Sequence, residues 1–387
     1  MKIITISLSN SDDLRGGAYR RYMELINAFI DMGDEVHHIS PRGFSNIFAE
    51  NLHHYGTHII RIPPTYLPFS LQAIPMAISI ARKNKIDVFV SFTIFDALIG
   101  IISKIFYSNM KVLLCDRADS ITGMKIQLEK KHRTLSRPIH LILSKLENWI
   151  YRNVDFTIFN SKIRRNDMIN KSKINPDDTC VVYNNANPSW VVLKEEEAVS
   201  DSIILKNRYK NKKIISFVGN LYLDGRDIIT LLYAFKIIKK EIPESLLFIV
   251  GDGPDKINVI NFVKINKLED SVFVEGWRNN PFVYMVASDL NIVTALHEGF
   301  SNTILESLYL NKLVLGSDVG GIPEQLKYEE LLFHPKNHEE LALKAIKLLK
   351  NAYDHEIAVE MIKERRSIFI FNWNKKMLVA INKVVDQ

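Results

Sequence analysis

The chain has 387 residues, too many for one ordinary domain, so two are expected. With 47% hydrophobic and 24% charged residues it reads as a folded globular protein, not a disordered one. Two cysteines, Cys115 and Cys180, exclude a disulfide framework and fit a reducing compartment.

The residues Met1 to Leu8 are too short and mixed for a signal peptide and read as a buried strand. Strands are predicted at Lys2–Leu8, Glu35–Ile39, Asp87–Ser91, Lys111–Cys115, Asp155–Phe159 and Thr179–Tyr183. Helices are predicted at Ala18–Met32, Leu71–Lys83, Asp96–Phe106 and Ser136–Tyr151. In Ala18–Met32, Tyr22, Leu25, Ile26 and Phe29 repeat at helical spacing and Gly33 stops the element. Strand and helix in alternation imply parallel strands joined by crossover helices. The apolar stretch Phe92 to Cys115 is broken by Asp96, Lys104 and Lys111, which argues against a membrane span.

The net charge of +6 is uneven. Lys125 to Lys173 holds twelve Lys/Arg against four Asp/Glu. Within it, Arg133 to Arg152 reads as a helix with Leu135, Ile139, Ile142, Leu143, Leu146 and Ile150 on one side. Such a helix either docks on anionic lipid or packs its apolar side into the core. No zinc-finger spacing, RNP-like run or heptad basic region is present, so nucleic acid is not an expected partner.

Between Pro188 and Lys213 periodicity dissolves into charge, and the domain boundary is expected here. Alternation restarts at Ile214 to Val218. The run His297-Glu298-Gly299-Phe300-Ser301-Asn302-Thr303-Ile304-Leu305-Glu306 then carries most of the chemistry. It follows a strand-like segment, Ala287 to Val293, and precedes another, Lys312 to Leu315, with the glycine turn Val319 to Glu324. Strand, turn, helix, strand is half of a parallel α/β sheet, whose ligands bind at the carboxyl ends of the strands. Ser301 or Asn302 can cap the helix, so that the amides of Phe300, Ser301 and Asn302 face an anion. Gly299 permits close backbone approach, and Glu306 lies about one turn into the helix. Amides for a diphosphate and carboxylates for hydroxyls describe a nucleotide-sugar site.

These residues resemble the E-x7-E signature of retaining glycosyltransferases of family 4. The likeness extends to Phe248-Ile249-Val250-Gly251-Asp252-Gly253-Pro254, to Val274-Glu275-Gly276-Trp277 and to Val319-Gly320-Gly321-Ile322-Pro323-Glu324. It is thinner in the first half, through Gly16-Gly17 and Tyr183-Asn184-Asn185. The resemblance implies the GT-B fold, two Rossmann-like parallel-sheet domains facing across a cleft. Residues 1–190 would form the acceptor-side domain, with helix 370–387 crossing back to it, and 191–369 the donor-binding domain. It implies that Glu298 meets the transferred sugar and Glu306 the ribose. Gly219, Asn220, Gly276, Gly299, Phe300, Ser301, Asn302, Thr303 and Glu306 would bind the donor. Gly16, Gly17, Asp116 and Arg117 would border the acceptor or the donor phosphate, Asp119 being a further candidate.

One departure stands out in Phe217-Val218-Gly219-Asn220-Leu221-Tyr222-Leu223-Asp224-Gly225-Arg226-Asp227. The family carries an Arg and a Lys where this chain has Asn220 and Asp224. Arg226 is the nearest replacement and stands with Glu298 in the expected catalytic set; otherwise it is a solvated charge at a helix start. His297 is left outside that set. No D-x-D, dinucleotide fingerprint, G-x-S-x-G elbow or Walker lysine is present, so no metal and no cofactor is expected. The expected activity is transfer of a sugar from a nucleotide diphosphate sugar to a glycan or lipid-linked glycan, in bacterial surface polysaccharide synthesis. The expected place is the cytoplasm, peripheral on the inner face of its membrane through 125–173. Alternatives are an inactive GT-B subunit that binds a partner or glycan, and a nucleotide-sugar epimerase.

Overall fold

The computed structural model describes residues 1–7, 17–41, 50–58, 60–62, 67–117 and 133–386. The chain divides into two units, 1–183 with 372–387, and 184–371.

In the first unit the strands are β1 (Lys2–Ile6), β2 (Glu35–Pro41), β3 (Leu52–Thr57), β4 (Ile60–Ile62), β5 (Leu67–Phe69), β6 (Val88–Ser91), β7 (Lys111–Asp116), β8 (Phe156–Phe159) and β9 (Thr179–Val181). Seven form a parallel sheet in the order β3-β2-β1-β6-β7-β8-β9, and β4 pairs antiparallel with β5. Runs such as Val88-Phe89-Val90 are apolar on both sides because helices cover both faces. The strand order reverses between β1 and β6.

The second unit holds β10 (Lys213–Val218), β11 (Ser245–Val250), β12 (Val272–Gly276), β13 (Leu290–Val293), β14 (Val314–Ser317) and β15 (Leu332–Phe333). They form one parallel sheet in the order β12-β11-β10-β13-β14-β15. Its order reverses between β10 and β13, so the crevice at their carboxyl ends begins at Val218 and Val293.

Two expectations need correction. The charge-rich stretch after Pro188 is not a linker: Glu195–Arg208 is a helix. Three glutamates fill its first turn and Lys206 and Arg208 its last, complementing the helix dipole. Its Ala198 packs with Val191, Phe282 and Met285, inside the second unit. The units therefore divide at 183/184, earlier than the charge pattern suggests. The strand β3 was also not anticipated, since Leu52-His53-His54-Tyr55 lacks the apolar run of its neighbours.

The helix Trp373–Val385 belongs to the first unit, burying Trp373, Met377, Ile381 and Val384. Arg21 and Arg117 stack on the Trp373 ring, their guanidinium carbons 5.4 and 5.0 Å from its centroid.

In the same unit, the helix Ile94–Phe106 starts after Thr93, whose hydroxyl accepts the Asp96 amide hydrogen. Burial pushes the Asp96 carboxyl up to about 7, against an opposing hydrogen bond from Thr93. A carboxyl raised on folding binds its proton more tightly in the native state, so its contribution to stability falls as pH rises toward 7. The variant Asp96→Asn should therefore gain stability relative to the parent on going from about pH 5 to about pH 8. Urea unfolding at the two pH values checks this, and a pH-independent difference would contradict it.

Candidate donor site

The site is built by two loops that meet at the reversal of the second sheet. After β10, the Gly219 amide donates to the Val250 carbonyl at 3.0 Å and that of Leu221 to the Asp252 carbonyl at 2.9 Å. The turn after β11 can lie this close because Gly251 has φ +143° and no Cβ; an added one would sit 1.8 Å from the Gly219 oxygen. The other side repeats the device. Gly320 has φ +54°, and a Cβ there would lie 1.7 Å from the Glu298 carbonyl oxygen. The distal glycine turn thus supports the backbone that presents Glu298.

Glu298 and Arg226, 72 positions apart, are brought together: Arg226 Nη1 donates to Glu298 Oε2 in a short charge-assisted bond. The side chains are only 15% and 31% exposed. The other carboxylate oxygen accepts the Gly299 amide hydrogen at 3.2 Å. The Arg226 amide donates to the Tyr222 carbonyl at 2.8 Å, and the Leu296 amide to the Gly225 carbonyl at 3.0 Å, which ties the two loops to each other. Arg226 is thus no solvated helix-start charge; Asp227 beside it makes the cap, accepting from the Thr230 amide. Asn220 is exposed and Asp224 half-buried, and neither supplies a cation. His297 packs by the same loop, its Cε1 3.2 Å from where a Gly225 Cβ would stand.

Ser301 caps the helix Asn302–Tyr309, accepting from the Ile304 amide at 3.4 Å. Its own amide is not available to a ligand, which corrects the expectation: it donates to Gln325 Oε1 at 2.9 Å, while Gln325 Nε2 donates to the Ser301 carbonyl at 2.8 Å. Both side chains are buried. The Phe300 ring is buried edge-on against Phe369, 5.6 Å between centroids, so only its backbone can serve a ligand. The amides of Asn302 and Thr303 are first-turn donors with no carbonyl of their own helix to reach. The Thr303 hydroxyl donates to the Val218 carbonyl at 3.4 Å, and Asn302 Oδ1 accepts from Asn184 Nδ2 at 3.4 Å. One turn on, Glu306 Oε1 accepts from the Trp190 indole at 3.4 Å. Gly276 ends β12 at φ +70°, followed by the half-exposed Trp277.

Three supporting residues escaped the sequence reading. Trp190 and Gln325 lie too far along the chain from their partners for any spacing rule. Lys256 was open to detection, as it stands four positions after Asp252 on the next helix. Its Nζ is 3.2 Å from Asp252 Oδ2 and 3.0 Å from the position a Gly276 Cβ would take.

In the first unit, Gly16, Asp119 and the loop Ser9 to Arg15 lie outside the described residues, and Gly17 opens the helix Gly17–Asp31. Asp116 is a buried structural acid, accepting from the Tyr151 hydroxyl at 2.7 Å and Arg164 Nε at 2.9 Å. Arg117 is held between the rings of Phe92 and Trp373. Both are engaged by their own unit, which favours the salt-bridged-loop reading.

The basic helix spans Arg133–Asn153. Its expected apolar side is split: Ile150 is buried and Leu143 and Leu146 pack on the core, but Ile142 is 65% exposed beside Leu141 and Trp149. Part of the regional positive charge is also spent internally, since the buried Glu147 accepts from Arg164 and Lys171.

Comparison with known proteins adds the rest. Residues 15–190 match the model of Glycosyltransferase Family 4, and residues 202–367 that of Glycosyl transferases group 1. Over 178 residues the chain is 28% identical to the N-acetylgalactosamine-N,N'-diacetylbacillosaminyl-diphospho-undecaprenol 4-alpha-N-acetylgalactosaminyltransferase of Campylobacter jejuni, covering 46% of this chain and 45% of that one. Over 174 residues it is 29% identical to the N-acetyl-alpha-D-glucosaminyl L-malate synthase of Bacillus anthracis, 44% of this chain and 43% of that one. The chain thus spans less than half the length of these relatives. Among solved structures, Anabaena HepE in complex with UDP superposes with a TM-score of 0.73 at 17% identity, over 99% of this chain and 100% of that one. Models of glycosyltransferase domains thus match both halves of the chain, and its two parallel-sheet units have the GT-B fold.

Proposed function

We propose that this chain is a retaining glycosyltransferase that takes a sugar from a nucleotide diphosphate sugar bound at the reversal of β10 and β13. The observation that carries the reading is the Arg226–Glu298 pair beside the start of the helix Asn302–Tyr309. In this reading Glu298 accepts hydrogen bonds from hydroxyls of the transferred sugar and Glu306, oriented by Trp190, from those of the ribose. The Asn302 and Thr303 amides and the Arg226 guanidinium face the diphosphate, so Arg226 takes over from the cations missing at Asn220 and Asp224. The acceptor oxygen bonds to the anomeric carbon as its bond to the diphosphate breaks, and the departing phosphate takes the acceptor's proton. No side chain is assigned as nucleophile, and no metal is required. UDP bound to HepE makes a uridine nucleotide the first donor to try.

For the acceptor we propose a glycan or lipid-linked glycan of a bacterial surface polysaccharide, made at the inner face of the cytoplasmic membrane. The name of the Campylobacter relative, which acts on a diphospho-undecaprenol, supports this. So do the exposed Leu141, Ile142 and Trp149 beside the exposed Arg137 and Lys145.

Calorimetry with UDP-, GDP-, ADP- and dTDP-sugars should give binding with one nucleotide family that Glu306→Ala weakens. Glu298→Gln should lower kcat by about 100-fold or more with the fold intact. An unchanged rate in Glu298→Gln would remove the proposed role. For the membrane contact, co-sedimentation with phosphatidylglycerol vesicles should be lost in Ile142→Asp and retained by the parent; equal binding of both would overturn it.

A further inference from the structure

In the first unit, β2 and β3 run parallel in a register that sets His37 beside His53 and His38 beside His54. Side chains alternate along a strand, so His37, His53 and Glu35 share one face, and His38 and His54 share the other. On the first face the imidazoles of His37 and His53 stack, 4.8 Å between centroids. Glu35 Oε1 lies 2.9 Å from His37 Nε2 and 3.9 Å from His53 Nε2, and the three ligand atoms all fall within 4.8 Å of one another.

We propose that Glu35, His37 and His53 bind a divalent first-row metal ion, zinc in the first instance. Two imidazoles and a carboxylate with one position open to water are a familiar zinc donor set. Tetrahedral zinc with bonds of about 2.1 Å holds its ligand atoms about 3.4 Å apart. The Glu35–His37 pair is slightly closer than this and the Glu35–His53 pair slightly wider, so a small swing of His53 completes the site. His53 can make it, being 46% exposed, while His37 is fixed in the interior at 2%.

The surroundings fit a metal as well as the three ligands do. The Tyr55 hydroxyl lies 3.0 Å from His37 Nδ1. With the ion on Nε2, the Nδ1–H donates to that hydroxyl, the outer-shell bond that fixes the tautomer of a ligating histidine. Lys2 Nζ lies 3.2 Å from Glu35 Oε2, whereas it is Oε1 that faces the two imidazoles. Glu35 is the first residue of β2, at the amino end of the sheet, whereas ligands of such sheets sit at the carboxyl ends. The ion therefore has no part in the transfer chemistry. It joins β3, the edge strand among the described residues, to its neighbour β2 and restrains an edge that would otherwise be open to fraying.

Titration of the metal-stripped full-length protein with zinc chloride should show uptake of one ion per chain and a raised melting temperature. Cobalt(II) in its place should give the intense visible bands of a tetrahedral site. His53→Ala and Glu35→Gln should each weaken binding by about tenfold or more, with circular dichroism unchanged. His58→Ala, altering an exposed residue just beyond β3, should leave it intact. Absence of stoichiometric uptake, or uptake that survives both His53→Ala and Glu35→Gln, would overturn the proposal.

Discussion

The second unit depends on two places where backbone meets backbone with no room for a Cβ. At one, Gly251 and Gly253 lie against the Gly219 and Leu221 carbonyls; at the other, Gly320 and Gly321 lie against those of Glu298 and Gly299. A parallel sheet reversing at β10 and β13 provides a crevice, but it does not say how deep the loops on its rim will sit. The two glycine contacts decide that. They draw the 219–227 loop onto the turn after β11, and the 297–301 loop onto the turn after β14. Arg226 and Glu298 can meet because both loops are held down. The pair is a product of backbone packing before it is one of electrostatics.

That packing explains how the chain can depart from the glycosyltransferase pattern it resembles and still place a cation beside Glu298. The family places its positive charges directly on the loop after the first strand, where this chain has Asn220 and Asp224. Arg226 stands two residues later, at the edge of the next helix, and reaches in because the turn Tyr222–Gly225 points its backbone that way. A guanidinium holding a carboxylate at low exposure is costly to leave unpaired on either side. In the proposed reading, a diphosphate drawing on Arg226 would also free Glu298 to accept from sugar hydroxyls.

Much of this was legible in the sequence, and the reasons are specific. Buried strands such as Val88–Ser91 and Leu290–Val293 announce themselves as short apolar runs between turn residues, and the glycine turns mark their own close contacts. The helix Glu195–Arg208 was missed because its stability rests on charge placement at its ends and on a few small buried residues, not on an apolar stripe. Strand β3 was missed because its histidines find their partners only across the ladder from β2. At the site, Glu298, Glu306 and Ser301 lie within one run and could be read together. Trp190 and Gln325 reach the same place from more than 20 positions away, and no local pattern carries that information. Asp116 shows the opposite failure: an acid at the carboxyl end of a strand is as well suited to bind Arg164 and Tyr151 as to face a ligand.

The first unit is discontinuous in sequence. It opens with β1 and is completed only by the helix Trp373–Val385, whose tryptophan lies between Arg21 and Arg117. The two connections leave the second unit side by side, with the Ala186 amide bonded to the Phe369 carbonyl at 2.7 Å and Asn185 Nδ2 to the Phe371 carbonyl at 3.1 Å. On the ribosome, every residue of the second unit is made before the first can close over its last helix. Although its residues come later, the second unit can fold first, while the older sheet waits with an uncovered face. The core of the first unit is thus sealed by the helix Trp373–Val385, which is made after every strand of both sheets.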